Sequence, residues 1–380
     1  MSARRAPAVV LVALALAATA CGPSPSSSPP TSTLPPLPPD ALALVTEIGQ
    51  GAALGTQSSV YGIDLTAGVS SRTRTFTVGT FPDAIAVSPN DSLALVANYA
   101  ANSVTPINLK TGKVLAAISA GQGPAGIAIA PDSKTAYVTD AGTSPVGTTV
   151  TPIDLTTLRA RAPITVGAGP QGIAISPDGQ TAWVALAGAV VAGQAGAIGS
   201  SVVSVNLATR HVSSPITVGN APIAIAVSPD GSTVWVGNAY SGSVSPISVS
   251  TSTAGTPIAV SGAPSALVVA PDSQTVFVAD ESSSVAKTSN VTPISASSGT
   301  AGTPVVVGKN PSGLAITPDG ATLWVVCNGA DTLEPIDVKT LKESAVGVIP
   351  VANGPYAIAL FTKAHPAAVA LLSPGRKAHG

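Results

Sequence analysis

Histidine is almost missing from this chain, and the places where it does occur remove a class of chemistry. There are three in 380 residues: His211, His365 and His379. His211 falls at a turn inside the repeat described below, on the side away from the long loops. The other two fall in the C-terminal tail. Histidine-based acid–base work, a catalytic triad and haem ligation therefore have no donor on the loop-rich side. Cysteine is as scarce, with only Cys21 and Cys327, and no C-x-x-C-H run is present. Charged residues make up 9 % of the chain and aromatics 3 %, and the net charge is −1. Nothing in that balance calls for a polyanionic partner, and nucleic acid is not an expected ligand. Apolar residues without a 3.6-residue period exclude helical repeats.

What is abundant is Gly and Pro, 37 and 35 residues, over a core built from Ala, Val and Ile. That mixture favours many short strands separated by turns. The N-terminus differs. Arg4 and Arg5 precede the apolar run "APAVVLVALALAATA", which ends in small residues ahead of Cys21. This is the layout of an export signal. "ATAC" resembles the lipobox of bacterial lipoproteins, with Ala18 where that motif prefers Leu. The resemblance implies cleavage before Cys21, acylation of its thiol, and an extracytoplasmic protein held to the membrane by lipid. Cys327 is then left without an intramolecular partner. Residues 22–40, "GPSPSSSPPTSTLPPLPPD", lack core-forming side chains and form a spacer. The expected division is a signal peptide at 1–20, a lipidated Cys and linker at 21–40, a folded domain at 41–362 and a tail at 363–380.

The folded domain is repetitive. A P-x-x-[IL]-[AV] core begins at Pro82, Pro124, Pro170, Pro222, Pro264, Pro311 and Pro355. The first six are followed by a Pro-containing turn such as "SPDG", whose residues suit a type I turn. Then come a second apolar strand ("TAYVTD", "STVWVGN"), a third ("TVTPIDL", "SVSPISV") and a fourth. Four short strands per unit describe a blade of a β-propeller. The seventh unit has only its first strand, at 354–361. The strands it lacks are at the other end of the chain, "LALVTE", "SSVYGIDL" and "RTFTVG". The expectation is an all-β, seven-bladed β-propeller closed by pairing N-terminal strands with the C-terminal strand. "AYVTD" and "WVGN", set between "SPDG" and "TVTPIDL", resemble the bacterial YVTN-type β-propeller repeat family. The resemblance covers nearly all of 41–362. It implies the fold and leaves the activity open, because related propellers include lactonases, lyases, redox-enzyme subunits and nucleic-acid binders.

The same repeat settles the chain's longest apolar run, "AWVALAGAVVAGQAGAIGSSVVSV" at 182–205. Its length would span a bilayer, but its two ends match the second and third strands of the third blade. The middle, 187–200, is an inserted loop, expected to act as a lid or a greasy contact surface.

Insertions concentrate in one loop type. Sixteen residues separate each of the first six anchoring prolines from the end of its second strand. The loop between second and third strands varies far more, and insertions confined to one face point to a binding face. The second-strand ends there form a ring: Glu47, Asn98, Asp140, Leu186, Asn238, Asp280 and Cys327. Tyr99, Tyr240, Glu281 and Asn328 adjoin it, as do Asp83 and Asp331, and Lys287 and Lys309 are its cations. Asn and Asp at such ends commonly bond their own turns. Alternatively Glu47, Asp140 and Asp280 turn inward and hold a cation such as Ca²⁺ through oxygen; no other cofactor is expected. Trp183, Trp235 and Trp324 share one strand position and are expected to pack between blades.

Three functions follow. The leading one is a monomeric, lipid-anchored module that binds a protein or small-molecule ligand through the loop-rich face. The alternatives are a metal-dependent lactonase-like hydrolase and an accessory subunit of an extracytoplasmic redox complex.

Overall fold

The anchoring prolines mark where each blade begins. The computed structural model describes residues 41–49, 58–65, 72–142, 146–188, 198–281, 288–344, 346–351 and 354–362. The signal and linker, Cys21, Lys287, the tail and most of the apolar loop after Gly188 lie outside the described residues. Among the described residues the elements are all strands, arranged as seven antiparallel sheets. Blades 1 to 6 start at Pro82, Pro124, Pro170, Pro222, Ala263 and Pro311. Blade 7 is assembled from both ends: Pro355–Thr362 is innermost, followed outward by Ala41–Glu47, Ser59–Asp64 and Arg72–Thr77. The innermost strands of neighbouring blades abut all the way round, with Pro355–Thr362 against Pro82–Val87 closing the ring. The chain is a closed seven-bladed propeller, an arrangement that leaves only short, protected sheet edges.

The apolar run at 182–205 forms strands Thr181–Gly188 and Ile198–Asn206 of blade 3. No helix among the described residues is long and apolar enough to cross a membrane.

The outer strand of most blades is broken into two short pieces, and the third strand explains why. In blade 2, Asp154 pairs with Arg159 and Val150 with Ile164, leaving a gap opposite Pro152. Proline has no N–H to give to the ladder. Blade 7 has Tyr61 at that position, and there the outer strand runs unbroken with Tyr61 opposite Thr75. Blade 3 has Ser204, whose N–H is taken up by Ser213 Oγ at 3.0 Å.

The core lies between blades. Trp324 of blade 6 packs with Val45, Tyr61 and Ile63 of blade 7. Trp235 packs with Val276, Val278 and Ile294 of blade 5, and Trp183 with Val234 and Val236 of blade 4. Each is 2 % exposed or less. Burial of such side chains stabilises by roughly 1.5–3 kcal/mol each, so the blades hold one another and no single blade stands alone.

Candidate functional site

The polar ring is structural. Asn98, Asp140, Asn238 and Asp280 are fully buried at the ends of second strands. Their side chains run outward along their own blades to the third strand. Asn98 Nδ2 donates to Thr105 Oγ1 at 2.9 Å, and its Oδ1 accepts from the Gly79 N–H at 3.1 Å. Asp140 accepts from Thr149 at 2.7 Å, Thr151 at 2.8 Å and the Gly121 N–H at 3.0 Å. Asn238 donates to Ser245 at 3.0 Å, and Asp280 accepts from Thr292 and Ser261. Each group ties the second strand to the third, and in blades 1, 2 and 5 also to the incoming crossover. The crossover passes so close that a β-carbon at Gly121 would lie 2.2 Å from Asp140 Cγ. Burial raises the Asp140 carboxyl and pushes Asp280 up to about 6, against the hydrogen bonds that lower them.

The exceptions obey the same logic. In blade 6 the carboxylate has moved one strand outward. Glu334 accepts from the Gly308 N–H at 3.0 Å and from Thr332 at 2.8 Å, and Cys327 fills the vacated position. Burial, then the Glu334 charge, pushes the Cys327 thiol well up, which makes it a poor nucleophile. In blade 3 the pair is apolar, Leu186 and Val203. In blade 7, Glu47 accepts from Ser59. The expectation that Glu47, Asp140 and Asp280 turn inward together is therefore corrected: each is bonded within a different blade. Among the described residues no three of His, Cys, Asp and Glu come together as a metal-binding group.

A β-bulge re-aims a second row of residues on the innermost strands. Pro82 pairs with Asn98 and Ala84 with Ala97, so Asp83 is the extra residue between them. The same shift places Ile223, Ser265 and Ser312 at bulges in blades 4, 5 and 6. In blade 7 it falls at Tyr356, between the pairs Glu47–Pro355 and Val45–Ile358. Bulges re-aim side chains and recur beside functional sites. Here blades 7 and 1 present Tyr356 and Asp83, and the Tyr356 hydroxyl donates to the Asp83 carboxylate. Burial pushes Asp83 up to about 7, with the tyrosine bond the smaller, opposing effect. Asp83 Oδ1 is sealed from solvent and has no hydrogen-bond partner among the described residues.

Glu281 completes the group. It follows Asp280 in blade 5, two blades from Tyr356, and burial pushes it up to about 7. The Tyr356 phenol lies well above its usual range through burial, then the charges of Asp83 and Glu281. The Glu281 charge is thus felt at Tyr356 from two blades away. Phe81 and Tyr99 flank the pair: their ring centroids are 5.8 Å apart, and Phe81 meets Tyr356 edge-on at 6.3 Å. Asn328 positions the tyrosine strand by donating Nδ2 to the Pro355 carbonyl at 3.0 Å, and Ser312 Oγ donates to the Tyr356 carbonyl at 2.7 Å.

Of the residues singled out in the sequence, the mouth thus gathers Tyr99, Glu281 and Asn328 with Asp83. Tyr240 is 41 % exposed on the rim. Asp331 pins the loop into blade 7, accepting from the Gly354 N–H at 2.8 Å. Tyr356 was missed. Its signal is an aromatic one place after the anchoring proline, where the other blades carry Asp, Ala, Gln, Ile or Ser.

Fold and mouth together define a propeller with a buried acidic and aromatic centre. Residues 58–310, more than half of the chain, match the family described as "Lactonase, 7-bladed beta-propeller", and the chain belongs to that family. No curated protein is a significant match. Solved structures share the fold. The periplasmic gluconolactonase of Pseudomonas aeruginosa is 15 % identical with a TM-score of 0.66, covering 84 % of this chain and 99 % of that one. Hydrazine synthase of Kuenenia stuttgartiensis is 22 % identical with a TM-score of 0.63, covering 75 % and 96 %.

Proposed function

We propose that the chain is a hydrolase that opens lactone rings at its axial mouth. The observation that carries this reading is Asp83, half-buried, hydrogen-bonded by Tyr356 and with one oxygen unpartnered, while the Glu281 charge also acts on Tyr356. A carboxyl poised near neutrality is suited to general-base work. Asp83 takes a proton from water as the water oxygen bonds to the lactone carbonyl carbon. The ring C–O bond then breaks, and its electron pair stays on the leaving oxygen. Glu281, in its protonated form, supplies the proton that turns this oxygen into a hydroxyl. The product is the hydroxy acid, and solvent resets both carboxyls. Tyr356 orients Asp83 throughout. Membership of the lactonase family supports the reading, as does the likeness to a gluconolactonase. The experiment is hydrolysis of simple lactones followed as acid release.

The binding-module reading rests on a separate observation, the uneven loops between second and third strands. It predicts capture of the same compounds without turnover.

We also propose export and anchoring through Cys21, supported by the signal layout ahead of it. A Cys21→Ser chain expressed in a bacterial host is expected to leave the membrane fraction. Its retention there would count against the anchor.

A further inference from the structure

The residue before the anchoring proline has a left-handed backbone in six of the seven blades. These are Phe81 (φ 55°), Gly123 (58°), Gly169 (61°), Ala221 (52°), Asn310 (52°) and Gly354 (68°). Their carbonyls all accept a bond from the residue that follows the ring position, as from Tyr99 N to Phe81 O at 2.8 Å and from Ala141 N to Gly123 O at 2.9 Å. That bond needs no side chain, and glycine supplies the conformation without strain. A bulky aromatic there is an outlier that costs on the order of 1–3 kcal/mol.

The Phe81 ring packs against both Tyr99 and Tyr356, and Tyr356 in turn holds Asp83. The free Asp83 oxygen calls for a hydrogen-bond donor, the role that the hydrolase reading gives to the attacking water. Among the described residues the charges that act there have one sign. Asp83 and Glu281 both act on Tyr356, and no cation contributes to the position of either carboxyl. A phosphate brought to this mouth meets repulsion, whereas an uncharged ring meets aromatic faces.

We infer that the mouth accepts uncharged lactones with an apolar face laid on the Phe81–Tyr99–Tyr356 wall, that it rejects phosphorylated lactones, and that Phe81 is the specificity-determining residue. This rests on the hydrolase reading and names its substrate class.

The test compares δ-decalactone with 6-phosphoglucono-δ-lactone on the full chain, and repeats both with Phe81→Gly and Phe81→Asn. Either replacement suits the left-handed backbone, as Gly354 and Asn310 do in their blades. The expected result is kcat/KM at least tenfold higher for decalactone. Both variants should raise its KM tenfold or more, with kcat within threefold and a melting temperature unchanged or higher. Equal or better turnover of the phosphorylated lactone, or an unchanged KM in both variants, overturns the inference. Should wild type hydrolyse neither compound, the hydrolase reading falls by itself. Calorimetric titration with decalactone then decides the wall: tenfold weaker binding in both variants upholds it, and no binding or unchanged binding overturns it.

Discussion

Replacing Asp83 by Asn is expected to abolish most of the hydrolysis and, at pH 8, to make the protein more stable. The first effect follows from the role. A positioned general base contributes about 10²–10⁴-fold, so kcat/KM should fall at least 100-fold, and the amide cannot take its place. The second follows from linkage. Burial holds the folded-state pKa of Asp83 at about 7 against an ordinary 3.8. The folded chain therefore binds a proton that the unfolded chain has released between those values. Its contribution to stability is full below pH 4, declines as pH rises towards 7, and is gone above. Three units at roughly 1.4 kcal/mol each set a ceiling of about 4 kcal/mol. The side chain is only half-buried, so screening reduces this to about 1–3 kcal/mol. Urea unfolding should show Asp83→Asn above wild type by that amount at pH 8, with the gap narrowing at pH 5. Undiminished turnover, or a variant weaker than wild type at pH 8, would remove Asp83 from the role. A group that stabilises less when it is ready to react is a common feature of active sites.

The second large effect concerns closure. A chain ending at Val351 keeps six blades but loses the inner strand of the seventh. That strand, Pro355–Thr362, covers Ala41–Glu47 along its length and abuts the inner strand of blade 1. Leu42, Leu44, Ile358 and Phe361 are 8 % exposed or less in the closed ring. At roughly 1.5–3 kcal/mol per such side chain, the loss is about 6–12 kcal/mol, as large as the total stability of many domains. The truncated chain is expected to melt without a cooperative transition in circular dichroism. A permuted chain carrying 354–362 ahead of Ala41 through a short linker should melt as wild type does. A cooperative melt of the truncation at the wild-type temperature would mean that the seventh blade is dispensable.

The architecture was legible because the repeat is enforced by backbone chemistry. Each anchoring proline sits where no N–H is required, opposite the end of the second strand, and the constant 16-residue spacing records that pairing. The split seventh blade could be read for the same reason. The broken outer strands could have been foreseen from the proline in "TPID", since each removes one ladder donor. The site was harder. A bulge adds no residue to the repeat count, so nothing in the spacing marks Asp83 as re-aimed or pairs it with Tyr356 across the chain's two ends. The Asn and Asp ring attracted notice by residue type alone. Its structural role lay in the hydroxyls of Thr105, Thr151, Ser245 and Thr292 on the adjacent strand, which are diagonal neighbours only once the register is known. The move of the carboxylate from position 327 to Glu334 is visible only in that register too.

The central claim is that the axial mouth opens lactones through a carboxyl tuned near neutrality. The most direct measurement is acid release in a pH-stat with purified full-length protein and an uncharged δ-lactone, from pH 5 to 9. The account predicts saturable hydrolysis well above the spontaneous rate. Its kcat/KM should rise as Asp83 ionises and fall as Glu281 loses its proton, giving a bell centred near pH 7. Acid release no faster than in buffer alone at every pH would contradict it.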